Sequence, residues 1–173
     1  MRRPEATAAI VTAGALDAPV IAGLQSAVLP AGECWREADV AGLIAESSGL
    51  VRVAAGRAYG EVMPIGFALA RQTGDEAELL SLGVLVEARG QGLGRRLVDA
   101  VAEAAAARGA ARLVLEVAVD NAAALRLYDR AGFTRIGRRA AYYRRADNAW
   151  CDAWVLARAL RAVPGDGTCE ANG

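Results

Sequence analysis

The stretch "VEARGQGLGRRL", from Val86 to Leu97, constrains the possible folds more than any other part of the sequence. It places three glycines between an apolar run and a segment with an apolar stripe. Glycine adopts positive φ and allows close backbone approach, and a helix start offers unpaired N–H groups with about half a positive charge. The stretch therefore predicts a strand, a tight turn and a helix whose N-terminus can bind a phosphate or pyrophosphate. An ordinary strand-to-helix turn without a ligand is the alternative.

The segments on either side of this turn predict a parallel crossover. Strands are predicted at "AELLSLGVLV" before it and at "ARLVLEVAV" after it, with a helix between them from Leu93 to about Arg108 that ends near Gly109. A strand–helix–strand step of this kind is right-handed. A further helix, "NAAALRLYDRAGF", capped by Asn121, and two strands, "TRIGRRAAYYRR" and "AWCDAWVLARAL", follow it.

Two amphipathic helices are predicted near the start of the chain. "DAPVIAGLQSAVLP" has Asp17 as its N-cap and Pro30 as its stop, and "CWREADVAGLIAESSG" is closed by Gly49. Strands "LVRVAAG" and "VMPIGFALARQ" come next, and Pro64 marks a bulge or an edge position. The whole order predicts an α/β (α+β) fold, a mixed central sheet with helices on both faces.

Composition narrows the class of protein. Twenty basic and twenty acidic residues cancel, so we expect neither nucleic acid nor a membrane as a partner. The three scattered cysteines and the absence of histidine argue against a disulfide framework and against a metal site, and they fit a reducing, cytoplasmic location. No apolar run reaches the roughly 20 residues of a membrane span. We expect one domain over 1–162 and a disordered tail at 163–173.

The missing residue types also limit the chemistry. Without histidine, Ser-His, Cys-His and His-metal mechanisms are excluded. Every basic side chain is arginine, so a Schiff-base lysine is excluded as well. Any proton transfer must use a carboxylate, a tyrosine, a cysteine or water.

Two motifs in sequence resemble a known family. "VLVEARGQGLGRRLV" and "LEVAVDNAAALRLYDRAGF" resemble the acetyl-coenzyme A motifs of the GNAT N-acetyltransferase superfamily. "CWREADVAGLI" and "RRAAYYRRADNAWCDAWVLARAL" resemble segments of its RimI-type ribosomal-protein alanine N-acetyltransferases. The resemblance covers about residues 11–160. It implies a GNAT fold in which two parallel strands splay apart, and acetyl-CoA as the cosubstrate with no metal.

The resemblance also implies which residues hold the coenzyme. Backbone amides of the glycine-rich turn would bind the pyrophosphate, two valines of the preceding strand would line the pantetheine arm, and an asparagine would contact the cofactor from the following helix. The amides of the turn are those of Arg89, Gly90, Gln91, Gly92, Leu93 and Gly94. The two valines are Val84 and Val86, and the asparagine is Asn121.

Glu116 is a charged residue inside the otherwise apolar "LVLEVAV". Burial of an unpaired carboxylate has a free-energy cost on the order of several kcal/mol, unless the group is solvated or functional. The resemblance implies a general base that acts through water. The alternative is a structural ion pair with an arginine such as Arg112 or Arg126.

Tyr128 lies in the predicted helix after this strand. A phenol with a pKa near 10 can protonate a thiolate with a pKa near 8.5 at a cost of only about 2 kcal/mol. The resemblance implies that Tyr128 is a general acid, and a core aromatic is the alternative.

We expect a backbone N–H, that of Val84, to donate a hydrogen bond to the oxyanion. Because no cysteine lies in the motif region, direct attack in a ternary complex is expected.

The sequence constrains the residues that bind the acceptor less than those that bind the coenzyme. Tyr142 and Tyr143 are successive strand residues and should point to opposite faces, one into the core and one into the acceptor groove. Trp35, with Glu37, forms the opposite wall or simply packs on the sheet. The arginines at 138, 139, 144 and 145 form a solvated face or contact a partner surface.

The acceptor chemistry favours an α-amine. Its pKa of about 7.7 to 8.0 against about 10.4 for lysine is worth roughly 3.5 kcal/mol in the supply of neutral nucleophile near pH 7. The resemblance implies the N-terminus of a protein, a ribosomal small-subunit protein, as acceptor, and an enzyme that is a monomer or weak dimer. A small-molecule amine acetyltransferase and a non-catalytic acyl-CoA sensor are the alternatives.

Overall fold

A computed structural model describes residues 8–58, 60–145 and 148–160. The predicted tail at 163–173 and the boundary at 162 lie outside these residues. Within them, four α-helices and seven strands follow one another along the chain. They are β1 (Ala9–Thr12), α1 (Ala18–Val28), α2 (Glu37–Ala45), β2 (Gly49–Ala58), β3 (Glu61–Thr73), β4 (Glu76–Val84), α3 (Leu93–Ala107), β5 (Arg112–Ala118), α4 (Ala122–Arg130), β6 (Thr134–Arg144) and β7 (Trp150–Ala159).

The strands form one mixed sheet in the order β1-β2-β3-β4-β5-β7-β6. All neighbouring pairs are antiparallel except β4 and β5, which run parallel and are joined through α3. This confirms the predicted crossover and the mixed sheet. Pro64 lies beside a bulge, because the β2–β3 register shifts between Ala54 and Ala55.

Helices cover both faces of the sheet, as predicted. A Cβ on Gly66 would come within 3.2 Å of Leu97 of α3, whereas a Cβ on Gly83 would come within 2.6 Å of Val28 of α1. Helix α3 therefore covers one face, and α1 covers the other together with α2, which packs on β2. The α3 stripe predicted from sequence is buried: Leu93, Leu97, Val98, Val101 and Ala105.

Three local details of the structure were not captured by the sequence patterns. The strand β1 was not foreseen, because four residues near the chain start carry too little pattern to be recognised. Helix α2 ends at Ala45 rather than at Gly49, which instead begins β2. Asp17 occupies the N-cap of α1, but its carboxylate accepts a hydrogen bond from the Gly14 N–H at 2.7 Å and makes none to the helix. In the part of the chain that the structure describes, no helix has the length and apolar character needed to span a bilayer.

Candidate active site

The central parallel pair separates partway along its length. Strands β4 and β5 are paired from Glu76 with Arg112 to Leu79 with Leu115, and no further. Beyond this point β4 stays with β3 up to Val84, and β5 stays with β7. The separation starts at a bulge, because the β3–β4 register skips one residue of β4 directly after Leu79. A bulge bends its strand and increases the local twist, which opens a gap between the two carboxyl ends.

The backbone of β4 directs an amide into this gap. The Leu85 N–H donates to Ile65 of β3 at 2.9 Å. Because successive N–H groups of an extended strand point to opposite edges, the N–H of Val84 points away from β3 and towards β5. The carbonyl of Val84 points the same way and accepts a hydrogen bond from Nε of Arg89 at 3.0 Å. Arg89 therefore lies at the open end of the gap.

The glycine-rich turn stands at this same end. Gly90 and Gly92 have φ values of 77° and 76°, and no atom lies within 4 Å of a Cβ placed on either. Gly92 is the N-cap of α3 and supplies no side chain to its first turn. Positive φ explains the glycines, and the open space with unfilled helix N–H groups fits a pyrophosphate. Gly94 has another reason to be glycine, because a Cβ there would stand 2.7 Å from Cδ1 of Leu127.

Two other residues predicted to contact the coenzyme follow the two central strands, Val86 after β4 and Asn121 after β5. Asn121 follows β5 and caps α4, since its Oδ1 accepts from the Ala124 N–H at 3.1 Å. Its amide nitrogen makes no hydrogen bond to another described residue. Val86 lies just after β4 in a short 3-10 turn and is 63% exposed, so it is at the rim of the gap rather than inside it.

Glu116 is the first residue of β5 beyond the paired segment, and its side chain is only 11% exposed. Its Oε1 lies 2.6 Å from Nε of Arg139 on β6. The proposed structural pairing with Arg112 or Arg126 was therefore wrong about the partner, and Arg112 pairs with Glu76 instead. The partner lies two strands away in the sheet, so spacing along the chain could not identify it.

The two neighbouring tyrosines converge on Glu116. Their rings meet edge to face with centroids 5.0 Å apart, so the prediction that they point to opposite faces was wrong. The reason is an irregular strand: Ala141 has a φ of 50°, and the β6–β7 register shifts between Arg139 and Tyr143. Tyr143 donates its hydroxyl hydrogen to the Glu116 carbonyl at 3.1 Å, and Tyr142 is the outer ring, 42% exposed.

Both tyrosine hydroxyls hold their protons firmly. A side-chain hydrogen bond to Glu116, together with desolvation, raises the pKa of Tyr142 to about 12. Burial raises the pKa of Tyr143 to about 12, with added contributions from Tyr142 and Glu116. At neutral pH both phenols are hydrogen-bond donors to the Glu116 residue.

Tyr128 lies in α4 and is buried, with 8% of its surface exposed. Its ring packs edge to face on Phe133 at 5.6 Å, and its hydroxyl makes no hydrogen bond to another described residue. The adjacent Leu127 reaches the start of α3, which places this helix beside the gap. Burial and, after it, the neighbouring Tyr143 raise the pKa of Tyr128 above its ordinary value. Its phenol therefore stays protonated.

An open cleft of about 640 Å³ lies on the face that α1 and α2 cover. Trp35 lines it just before α2, and its backbone N–H donates to Oε1 of the buried Gln25 at 3.0 Å. Arg71 of β3 lines its other side and bonds Glu46 at 3.1 Å. Trp35 also packs against the core, which agrees with the interpretation that it packs on the sheet. Glu37 is not among the cleft residues: Cys34, Trp35, Arg36, Ala38, Asp39, Gly42, Glu46 and Arg71.

The family follows from comparison of the sequence with known proteins. Residues 25–133 match the model of the acetyltransferase (GNAT) family. The chain belongs to this family. Among curated relatives, the GNAT enzyme "[Ribosomal protein bS18]-alanine N-acetyltransferase" of Escherichia coli K12 is 40% identical over 91 residues, 53% of this chain. "N-alpha-acetyltransferase RimI" of Mycobacterium tuberculosis is 41% identical over 83 residues, 48% of this chain. The chain matches 61% and 49% of the lengths of these two proteins.

Solved GNAT structures agree in fold over nearly the whole chain. The ribosomal-protein-S18-alanine N-acetyltransferase from Escherichia coli superposes with a TM-score of 0.76 and 27% identity, covering 92% of this chain and 98% of that one. Arabidopsis thaliana NAA60, solved with a bisubstrate analogue, gives a TM-score of 0.77 at 17% identity over 91% of this chain and all of that one, which supports the fold alone. The GNAT fold and the splayed parallel strands predicted from sequence are confirmed.

Sequence reasoning missed two charged residues beside Glu116. Arg139 was treated only as one of a run of surface arginines, and Glu78 was not singled out. Glu78 lies on β4 opposite Val114, and its pKa is raised by desolvation and then by the Glu116 carboxylate. An acidic residue at an alternating strand position is an ordinary surface pattern, so the sequence held no signal that would have distinguished Glu78.

Proposed function

We propose that this chain is an acetyl-CoA-dependent N-acetyltransferase whose acceptor is the α-amine of a protein N-terminus, that of a ribosomal small-subunit protein. One observation carries the proposal: the gap between β4 and β5 runs from the anion-binding turn at one end to Glu116 at the other. The ribosomal acceptor is supported by the names of the curated relatives. The α-amine is supported by its lower pKa, which supplies more neutral nucleophile near pH 7.

Different residues of the chain bind different parts of the coenzyme. Amides of Arg89, Gly90, Gln91, Gly92, Leu93 and Gly94 bind the pyrophosphate, with Val84 and Val86 along the pantetheine arm and Asn121 beside it. The bound coenzyme supplies a thioester carbonyl carbon as the electrophile. Val84 offers its gap-facing N–H to the carbonyl oxygen, where negative charge develops during attack. A preorganised donor of this kind contributes about 2.7 to 4 kcal/mol to transition-state stabilisation.

Glu116 and Tyr128 act on the two sides of the reacting centre. Glu116 acts as the general base that takes the proton of the acceptor amine through a water molecule, and it is held in place by Arg139 and Tyr142. Tyr128 carries its proton at neutral pH and donates it to the departing thiolate. Since the pKa of Tyr128 is raised, full proton transfer costs more than it would from a free phenol, so hydrogen-bond donation to the thiolate supplies much of the stabilisation.

Trp35 and the two tyrosines form the acceptor side. Trp35 lines the cleft, and Tyr142 is the exposed ring next to Glu116. Tyr143 packs against the Tyr142 ring and is itself held by its hydrogen bond to the Glu116 carbonyl. An extended peptide whose first residue reaches Glu116 would pass between these walls.

The experiment offers acetyl-CoA with three acceptors: a peptide with a free N-terminal alanine, the same peptide with a blocked N-terminus and internal lysines, and spermidine. A reaction without acceptor is the blank. Free thiol is measured, and the acetyl group is located by fragmentation mass spectrometry. The expected product is an acetyl group on the α-amine alone. Acetylation only of lysine side chains or only of spermidine would disprove the protein N-terminus as acceptor, and coenzyme binding without turnover would indicate a sensor.

A further inference from the structure

Asp152 of β7 lies opposite the irregular part of β6 that precedes the two tyrosines. Between the ladder pairs made by Arg139 and by Tyr143, β6 has three residues, 140–142, whereas β7 has Asp152 alone. The extra residues form a bulge. A bulge leaves backbone groups without ladder partners and changes the direction of the side chains beside it. The conformation of this bulge therefore decides where the side chains next to it point.

The Asp152 carboxylate binds the backbone of this bulge. Its Oδ1 accepts a hydrogen bond from the Ala141 N–H at 2.8 Å, and its Oδ2 lies 2.5 Å from Nη2 of Arg138. The Ala141 N–H and, after it, the Arg138 guanidinium hold the pKa of Asp152 below its ordinary value. Asp152 is therefore ionised at neutral pH, and an ionised acceptor binds a backbone N–H more strongly than a neutral one does.

Ala141 has a backbone conformation that requires support. Its φ is 50°, and residues with a Cβ rarely adopt positive φ. Its side chain is exposed, so packing of the methyl group does not impose this conformation. The hydrogen bond to Asp152 instead offsets the unfavourable φ of Ala141.

This kink at Ala141 decides the direction of Tyr142. Side chains alternate between the two faces of a regular strand, so regular geometry would place Tyr142 on the face of Arg138, away from Glu116. In the structure, the guanidinium carbon of Arg139 lies 5.5 Å from the centroid of the Tyr142 ring. The Tyr142 side chain also makes its hydrogen bond to Glu116. Tyr142 therefore reaches the acceptor side because the strand is kinked.

We propose that Asp152 is a positioning residue for acetyl transfer: it holds Ala141 at positive φ and thereby directs Tyr142 to Glu116 and to the acceptor. The inference rests on the proposed function, in which Glu116 and Tyr142 belong to the acceptor side of the site. Asp152 shares a face with Arg138, since Arg138 pairs with the residue two positions along β7. Asp152 thus acts through the backbone of β6 and not by contact with the acceptor.

The test compares Asp152→Ala, which removes the acceptor oxygens, with Asp152→Asn, which keeps one of them for the Ala141 N–H. Asp99→Ala is the matched control. Asp99 also pairs with an arginine at 2.5 Å, that of Arg158, and it is similarly exposed, but this pair is not at the bulge. Circular dichroism under each condition reports on folding.

The first measurement is the pKa of Tyr142, followed by NMR of the tyrosine ring carbons and assigned with Tyr142→Phe. In wild type the hydrogen bond to Glu116 raises this pKa to about 12. Asp152→Ala should return it towards the ordinary value of about 10, so that the ring is mostly ionised at about pH 10.5. Asp152→Asn and Asp99→Ala should keep the raised pKa of Tyr142.

The second measurement is kcat/KM for the peptide with an N-terminal alanine, together with acetyl-CoA affinity by calorimetry. Asp152→Ala should lose about 10²-fold in kcat/KM, because the acceptor side is displaced. Acetyl-CoA affinity should not change, since the glycine-rich turn is untouched. Addition of Ala141→Gly to Asp152→Ala should restore part of the loss, because glycine adopts positive φ without the steric cost of a Cβ. Asp152→Asn and Asp99→Ala should have kcat/KM values close to that of wild type.

Ala141→Val breaks the same kink with Asp152 in place, and it serves as the second variant if Asp152→Ala does not fold. The side chain at 141 is exposed, so the substitution acts through the backbone, where a β-branched residue strongly disfavours positive φ. It should lower the pKa of Tyr142 and kcat/KM as Asp152→Ala does.

The inference is overturned if Tyr142 keeps its raised pKa in the folded Asp152→Ala or Ala141→Val variant, even where activity falls, because Asp152 would then contribute to stability alone. It is also overturned if Ala141→Gly restores nothing to Asp152→Ala. If wild type acetylates no peptide N-terminus but the pKa of Tyr142 falls in Asp152→Ala, the proposed function fails and the positioning of Tyr142 by Asp152 stands.

Discussion

Nε of Arg139 lies 2.6 Å from Oε1 of Glu116, with strand β7 between their two strands in the sheet order. The arginine side chain is 59% exposed and the glutamate side chain 11% exposed. The pair therefore joins the edge strand β6 to the centre of the sheet, and it fixes the carboxylate at the end of the gap. Removal of either member leaves the other without its charged partner, which is costly mainly for the more buried one.

Arg139→Gln should lower the free energy of unfolding by about 1 kcal/mol, a value discounted for the exposure of the arginine. The loss should be smaller in 1 M salt, where the charge pair is screened in the wild type. Urea denaturation at low and high salt measures both effects. Arg135→Gln serves as the control, because Arg135 is on the same strand but stacks on Trp154 at 4.6 Å. An equal loss in both variants would show that the ion pair contributes nothing specific.

Gly92→Ala should weaken both the fold and coenzyme binding. Its φ of 76° is unfavourable for a residue with a Cβ, at a cost of about 1 to 2 kcal/mol. A shift of the turn would also move the N–H groups that are proposed to bind the pyrophosphate. Calorimetry with acetyl-CoA and thermal unfolding test the two effects. Gly23→Ala, within α1 and with no atom within 4 Å of the added Cβ, should instead stabilise by about 0.5 to 1 kcal/mol.

Tyr128→Phe should lower kcat about 10²-fold and leave stability within about 0.5 kcal/mol of wild type. The reason is that the hydroxyl makes no hydrogen bond to another described residue, so its removal costs the fold little. Tyr143→Phe provides the contrast, because it removes the bond to the Glu116 carbonyl and should cost about 1 kcal/mol. Turnover by Tyr128→Phe at the wild-type rate would exclude Tyr128 as the acid.

Glu78→Gln should raise the melting temperature at neutral pH. Burial and the Glu116 charge raise the pKa of Glu78 in the folded protein, so the folded state binds its proton more tightly than the unfolded chain does. Stability therefore falls as pH rises from the unfolded pKa, about 4.3, through the raised folded value. Glutamine removes this loss, so the two proteins should have the same melting temperature below about pH 4. A lower melting temperature for the variant at pH 7 would contradict a destabilising Glu78 carboxylate.

Much of the fold and of the glycine-rich turn could be predicted from the sequence. The α3 stripe, the cap at Asn121 and the glycines at 90 and 92 depend on contacts within a few residues, and the structure confirms each of them. The order of strand, helix and strand also indicated the parallel crossover, and a crossover of this kind has one favoured hand.

The sequence by itself determined where a helix starts, where positive φ is needed and which chemistry is impossible without histidine or lysine, since these follow from local backbone geometry and residue type. Only the tertiary structure decided which charges meet at Glu116. Its neighbours Glu78 and Arg139 come from other strands, and the ring of Tyr142 reaches it through an irregularity at Ala141. Sheet register and strand irregularities depend on packing of the whole sheet, so no local pattern along the chain could have brought these residues together.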